Sequence, residues 1–462
     1  MDNKTQILKC GDDRHPVYLE MDEKETFRRS KGDESQCSWL KSEDAAEPRK
    51  LRSRIEPWLT ALFQSEHLSL LVGSGITHAV HHMATEEPLP GMGSVEFKSD
   101  KNIIDAAANK SAEAAGRKAG NIEDQIRVAN ELLRGLEILE AGDSGSSKVQ
   151  NLSNEISDIL SSFAESILRG ESSLAKSHAG KRENALSYLV SFLMSFASRT
   201  GTRDRLQIFT TNYDRYIELG AEAAGLHLLD RFIGSLAPIF RSSRLEVDMH
   251  YNQPGIRGEP RYLEGVARFT KLHGSVDWAE IDGSIRRIGL PFGAEGIDQY
   301  LKASGLKGVR PLRLMIYPNS AKDRETASYP YVELFRDFAA ATCRPNSTLV
   351  CFGYSFGDEH INRVVEDMLT IPSAHLVIIS YGDPLGRIMK IYNQIGRPPQ
   401  ISLLVGSHFG NLQKLVDYYL PKPAIDRTMF RMADILRSRL GSGSEKNPSA
   451  SGNTVVQGGD NS

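Results

Sequence analysis

The chain has 462 residues, 40% hydrophobic and 25% charged, which is ordinary globular usage and excludes a fibrous or low-complexity class. With 56 basic and 59 acidic residues the net charge is -3, too weak a field to draw the whole chain to nucleic acid or an anionic membrane. Four scattered cysteines (Cys10, Cys37, Cys343 and Cys351) form no C-x-x-C pair, so neither a disulfide framework nor a cysteine-rich zinc site is expected, and a reducing compartment fits.

Residues 1–47 are polar with little periodicity and read as a weakly ordered arm or a peripheral contact segment. The opening "MDNKTQILKCGDDRHP" lacks the apolar core of a signal peptide, and the most apolar stretch, Tyr188–Ala197, is too short to span a bilayer; a cytoplasmic location is expected. From Pro48, Leu51, Ile55, Leu59 and Leu62 recur at helical spacing, with Pro57 predicted to bend or restart the helix. "LSLLVGSG" follows as a compact apolar run ending in glycines, the pattern of a buried parallel strand. "LQIFTTN", "STLVCFGYS", "AHLVIIS" and "ISLLVGS" repeat that pattern, and helical stretches separate most of them. The fold class is therefore α/β, a Rossmann-like doubly wound parallel sheet over residues 48–420.

Between the first two strands lies a segment too long for a simple crossover, read as a helical subdomain inserted at about residues 80–204. It holds two amphipathic helices, "NIEDQIRVANELLRGLEIL" and "ISDILSSFAESIL", joined by the linker "AGDSGSS". An amphipathic helix is expected over 421–440 and a disordered tail over 441–462.

Open α/β sheets bind ligands beyond the carboxyl ends of their strands, so the residues at those ends carry the functional reading. The first strand ends in Gly73-Ser74-Gly75-Ile76-Thr77. Small residues there let backbone N–H groups approach a phosphate, although a tight strand-to-helix turn explains the same residues. The second ends in Thr210, Thr211, Asn212 and Asp214, polar groups that also suit the start of a helix. "CFGYSFGDEHIN" brings Gly353, Ser355, Gly357 and Asp358 to a third tip. "RFTKLHGSVDW" places one histidine, His273, where an alternating apolar run meets a glycine; taken alone, a histidine in that position is more often structural or exposed than chemical.

In this order, "TTNYD", "KLHGS" with Trp278, and "GYSFGDEHIN" resemble the sirtuin family, and more specifically its bacterial antiphage-defence branch, over residues 66–420. The resemblance implies NAD+ as the substrate, Asn212 and His273 as the catalytic pair, and Asp214 on the nicotinamide side. It implies a phosphate loop of Gly73, Ser74, Gly75 and Thr77 and a ribose–phosphate contact at Ser355, with Thr211, Gly353 and Asp358 as further cofactor contacts. Cleaving the nicotinamide–ribose bond passes through a cation-like sugar. An asparagine amide can orient water or the ribose, and a histidine can act as the base without a metal.

Sirtuin deacylases carry paired C-x-x-C motifs for a structural zinc, but no cysteine occurs from Gly274 to Thr342. The Pro-Asp-Phe-Arg stretch that follows the glycine loop in deacylases is also replaced, here by "PLPGMGSV". Water thus becomes the expected nucleophile. The expected function is an NAD+ glycohydrolase that depletes NAD+ during phage infection, with no metal. A deacylase, an ADP-ribosyltransferase, or a non-catalytic NAD or ADP-ribose sensor are the alternatives. The resemblance also implies a homo-oligomer and a separately encoded HerA-type ATPase partner; neither membrane association nor direct nucleic-acid binding is expected.

Overall fold

A computed structural model describes residues 5–422 except 31–36, 42–43, 90–92, 115–116, 140–146, 200, 202, 252–260, 282, 298–299, 301–313 and 317–328. The linker as far as residue 146, the C-terminal helix beyond Lys422 and the tail lie outside the described residues.

Three strands open the fold: β1 (Thr5–Lys9), β2 (Val17–Met21) and β3 (Phe27–Arg29). Helix α1 (Pro48–Phe63) leads to β4 (His67–Val72) and α2 (Ser74–Thr85). The insert supplies α3 (Lys101–Ala114), α4 (Ile122–Leu139), α5 (Ser147–Lys176) and α6 (Ala179–Ala197). Then come β5 (Gln207–Thr210), α7 (Tyr216–Ala224), β6 (His227–Leu229) and the short strands β7 (Phe232–Ile233), β8 (Ile239–Phe240), β9 (His250–Tyr251) and β10 (Arg261–Tyr262). β11 (Val266–Lys271) runs almost directly into β12 (Gly274–Ile281), followed by β13 (Ser284–Arg287) and β14 (Leu314–Ile316). Helix α8 (Tyr331–Thr342), β15 (Ser347–Phe352), α9 (Glu359–Met368), β16 (His375–Ser380), α10 (Arg387–Ile395) and β17 (Ile401–Val405) follow, and helical turns over Leu412–Tyr419 come after β17.

The main sheet has the order β3-β2-β1-β17-β16-β15-β4-β5-β11-β6. From β17 to β6 every neighbouring pair is parallel. Its central strands are apolar because both faces are covered: all six residues of β15 and all five of β17 are buried. Helices α1, α2, α6 and α7 cover one face and α8, α9 and α10 the other, giving the three layers of a doubly wound, Rossmann-like fold. From β4 the chain builds outward to β5 and β11 on one side, and from β15 to β16 and β17 on the other. The crevice at the carboxyl ends of β4 and β15 is therefore the topological switch point.

Three expectations differ from the structure. The N-terminal segment, expected as a weakly ordered arm, pairs antiparallel to β17 through β1 and adds three strands to the sheet. Ile7, Leu8, Val17, Leu19 and Phe27 are fully buried there, so this segment belongs to the core. The insert also divides differently from the expected 80–204. Helices α2 and α6 pack on the sheet, whereas α3, α4 and α5 enclose a separate core with Val276 and Ile288. Pro57 sits inside α1, which runs unbroken through it. A second, five-stranded sheet, β14-β12-β13-β8-β7, leaves the main sheet where β11 passes into β12.

If the first strands are core, Leu8→Ala should destabilise the protein by about 2–5 kcal/mol, the usual cost of a buried Leu→Ala cavity. The urea midpoint measures it; a change within about 0.5 kcal/mol, as at an exposed position, would contradict the burial.

Candidate functional site

The crevice floor is a crossing of two loops, backbone on backbone. A Cβ on Gly73 would lie 2.4 Å from the Gly353 carbonyl oxygen, and one on Gly75 would lie 2.6 Å from the Gly353 Cα. Gly353 itself has φ +59°, a conformation costly for any other residue. The Gly73 N–H donates to Phe352 O at 3.0 Å and the Gly75 N–H to Gly353 O at 3.1 Å. These two amides, expected to face a phosphate, instead hold the tip of β4 against the tip of β15. Glycine is needed for the approach of chain to chain.

Asn212 stands just past β5. Its Nδ2 donates to Gly73 O and to Thr77 Oγ1, both at 3.0 Å. The carbonyl can only accept, which fixes the orientation of the amide and leaves Oδ1 as the group Asn212 can offer a ligand. The Thr77 hydroxyl donates to Asp214 Oδ2 at 2.9 Å, and Asp214 Oδ1 accepts from the Tyr216 N–H at 3.2 Å. Thr77 and Asp214, expected to touch the cofactor, are placed to orient Asn212. Thr211 donates its N–H to Val72 O at 3.4 Å.

His273 lies at the junction of the two sheets. β5 and β11 pair in parallel with Thr210 opposite Lys271, and the Leu272 N–H donates to Thr210 O at 2.8 Å. Asn212 and His273 are thus each two residues beyond a matched pair on neighbouring strands, which run about 4.8 Å apart. Gly274, at φ +91°, then turns the chain into β12. His273 is 17% exposed, so its side chain is not sealed in the core. Its Nε2 contacts Asp358 Oδ2 at 2.7 Å; the carboxylate accepts, which leaves Nδ1 as the basic nitrogen. Asp358 is held in turn as the N-cap of α9, its Oδ1 accepting from the His360 and Ile361 N–H groups. Expected as a cofactor contact, Asp358 is the group that orients His273. A sequence search for the histidine's partner had no means of finding it, since 85 residues separate the two.

The loop carrying Asn212 is clamped from below. Lys271, almost fully buried, reaches the carbonyls of Tyr213 and Asp214 and the Glu218 carboxylate; Ser275 and Val276 also donate to Tyr213 O. Arg215 is buried against Glu171 of α5 and the Leu290 carbonyl. Burial pushes the Glu171 carboxyl up to about 7, with Arg215 opposing it. The insert is thereby tied to the loop that presents Asn212.

Beside this pair, and not over it, a cavity of about 740 Å³ opens at the carboxyl ends of β15, β16 and β17. Ser74, Gly75, Gly353 and Ser355 line its near wall. Tyr381, Asp383, Ser407 and Asn411 line the far wall, together with Thr5 from the N-terminal strand. Thr5, Tyr381 and Asp383 were not expected as site residues, and the segment "GSHFGNL" that holds Ser407 and Asn411 was weighed as a neighbour of the adenine without being chosen. The strand tips "IISYGDP" and "LLVGSHFGN" carried the signal, since both follow apolar runs of the same doubly wound sheet. The volume is within the usual range for small-molecule and cofactor sites.

A polar pair on adjacent strand tips beside a cavity at the switch point is the arrangement in which doubly wound α/β proteins bind their ligands. Residues 206–395 match the family model described as SIR2-like domain, which supports a sirtuin-like family and an NAD-related function. The match takes in Asn212, His273 and the β15 loop; the glycine loop after β4 and the far wall after β17 lie outside it. Comparison with curated proteins returns no match. Among the described residues, no helix is long and apolar enough to cross a membrane, and no group of three or more His, Cys, Asp or Glu is placed to hold a metal ion.

Two outcomes follow from the buried charges. Glu171→Ala strands Arg215 without its carboxylate and should cost about 3–5 kcal/mol in a denaturant titration; a change within about 0.5 kcal/mol would show that the pair carries little. His375 and His408 are held neutral by burial, each lowered to about 4. An unfolded histidine takes up its proton near pH 6.5, so their contribution is fully present above that pH and is lost as pH falls toward 4. His408→Gln should flatten the fall in melting temperature between pH 6.5 and 4; an unchanged slope would contradict the assignment.

Proposed function

We propose that the protein hydrolyses NAD+ to nicotinamide and ADP-ribose. The observation that carries this reading is that Asn212, its amide oriented by Gly73, and His273, oriented by Asp358, stand on register-matched tips of neighbouring strands. In this reading the nicotinamide ribose lies against the pair, and the rest of the dinucleotide extends past Gly75 and Ser355 into the cavity. Asn212 Oδ1 accepts a hydrogen bond from a ribose hydroxyl or the attacking water, and His273 Nδ1 takes up the proton as the sugar gains positive charge. The carboxylate of Asp358 stabilises the imidazolium that results. Nicotinamide departs as a neutral base, and water adds to C1′ of the ribose. SIR2-like domains act on NAD+, which supports the substrate; the absence of any cysteine from Gly274 to Thr342 supports water over an acyl-lysine as the nucleophile.

We further propose that the chain acts in antiphage defence by depleting NAD+, in the cytoplasm, as a homo-oligomer with a separately encoded HerA-type ATPase. The support is the likeness of "TTNYD", "KLHGS" and "GYSFGDEHIN" to that branch. An unrestrained NAD+ hydrolase would starve its own cell, so activity is held back until assembly or infection.

The test is nicotinamide release from NAD+, measured on the chain alone and with its genomic neighbour. Asn212→Ala and His273→Ala should each lower the rate by about 10²–10⁴-fold with folding retained, since both replace polar groups at strand tips. Asp358→Asn should lower kcat by at least about 10²-fold, because the histidine loses the partner that fixes its tautomer. Release at the wild-type rate from the Asn212 or His273 variant would reject the mechanism.

A further inference from the structure

We propose that Gln6 is a positioning residue for the ADP portion of NAD+, making the N-terminal strand part of the nucleotide site. The inference rests on the function proposed above. If the nicotinamide ribose lies against Asn212 and His273, the ADP portion must occupy the cavity beyond Gly75, whose far wall is the loop from Gly406 to Asn411 with Thr5 beside it.

That loop is shaped by Gln6. Gln6 Oε1 accepts from the His408 N–H at 2.9 Å, and Nε2 donates to Ser407 Oγ at 3.1 Å. Gly406 has φ +139°, and a Cβ there would lie 2.2 Å from Gln6 Oε1, so the loop backbone is packed directly on the glutamine side chain. The loop's other anchors continue from this point. Gly406 N donates to Ser380 O at 2.9 Å, Gly410 N donates to Gly406 O at 2.9 Å, and a Cβ on Gly410 would meet the Tyr381 backbone at 2.1 Å. A shift at Gly406 would therefore move Ser407 and Asn411 in the cavity wall and, through Ser380, the tip of β16.

Gln6 is completely buried, next to the core residues Ile7 and Leu8. A buried amide adds little net stability over an apolar side chain of equal size, because its hydrogen bonds mostly offset its desolvation. Core packing alone therefore does not call for a glutamine at this position. Both of its polar atoms are directed at the cavity loop.

Gln6→Met keeps the length of the side chain and removes both hydrogen bonds. Binding is measured by calorimetry on the full chain, with ADP-ribose and nicotinamide mononucleotide as probes; only the first carries the adenosine that the far wall would hold. ADP-ribose should bind about ten-fold more weakly to Gln6→Met, with nicotinamide mononucleotide unchanged within about two-fold. Unchanged ADP-ribose affinity would overturn the proposal, and so would an equal loss for both ligands, which is the mark of general damage. Should Gln6→Met fail to fold, Ser407→Ala decides in its place: a loss confined to ADP-ribose supports the proposal and no loss overturns it. A wild-type chain that binds neither ligand would defeat the NAD+ reading itself, and this inference with it.

Discussion

The contact of Gly73 and Gly75 with Gly353 is the constraint on which the rest of the site depends. Two strand-tip loops can approach until backbone meets backbone only where neither carries a side chain, and here each would-be Cβ falls within 2.4–2.6 Å of a backbone atom. The approach sets where α2 begins. It also sets the height of the Gly73 carbonyl, the acceptor that fixes the Asn212 amide. On the other side it fixes Gly353 and so the start of the turn that carries Ser355 and Asp358. A methyl group on any of the three glycines would separate the loops and disturb the positions of Asn212 and Asp358 together.

From this crossing the site is built by assigning each polar group one task. Asn212 is left with a single free function, its carbonyl oxygen, because Gly73 and Thr77 take both amide protons. Thr77 donates onward to Asp214, whose carboxylate accepts from Thr77 and from the Tyr216 N–H. His273 keeps one nitrogen for chemistry because Asp358 takes the other. Fixed donors and acceptors of this kind need no rearrangement when charge develops on a bound ligand.

How much of this was legible in the sequence depended on whether the signal was local. The parallel strands announced themselves as runs such as "STLVCF", apolar throughout because both faces are covered, and the residues at their tips could be named. What those residues do was less legible. Gly75 and Thr77 are the types a phosphate loop requires, yet their partners are Gly353 and Asn212, which lie far along the chain. The N-terminal strands were missed because composition hides them. Gln6 and Lys9 are buried within β1, Lys9 donating to the Pro398 and Ile401 carbonyls, so a polar sequence is in fact an internal strand. Pairing with β17, almost four hundred residues on, leaves no periodic trace.

The turn between Gly353 and Asp358 shows how one loop serves both halves of the site. β15 is separated from β11 by β4 and β5, so Asp358 reaches His273 only if the chain leaving β15 leans across the crevice. Phe356, in the middle of that turn, has φ +52°, a left-handed conformation that costs an ordinary residue about 1–2 kcal/mol. Its ring is buried against Tyr354 with centroids 4.9 Å apart, and its carbonyl accepts from Asn362 Nδ2 at 3.0 Å. Those contacts offset the strain. The strained residue falls between Ser355, which lines the cavity, and Asp358, which orients the histidine. A relaxed backbone at Phe356 would send the chain onward in a different direction and separate the two roles, so the strain is the cost of presenting both from one short turn.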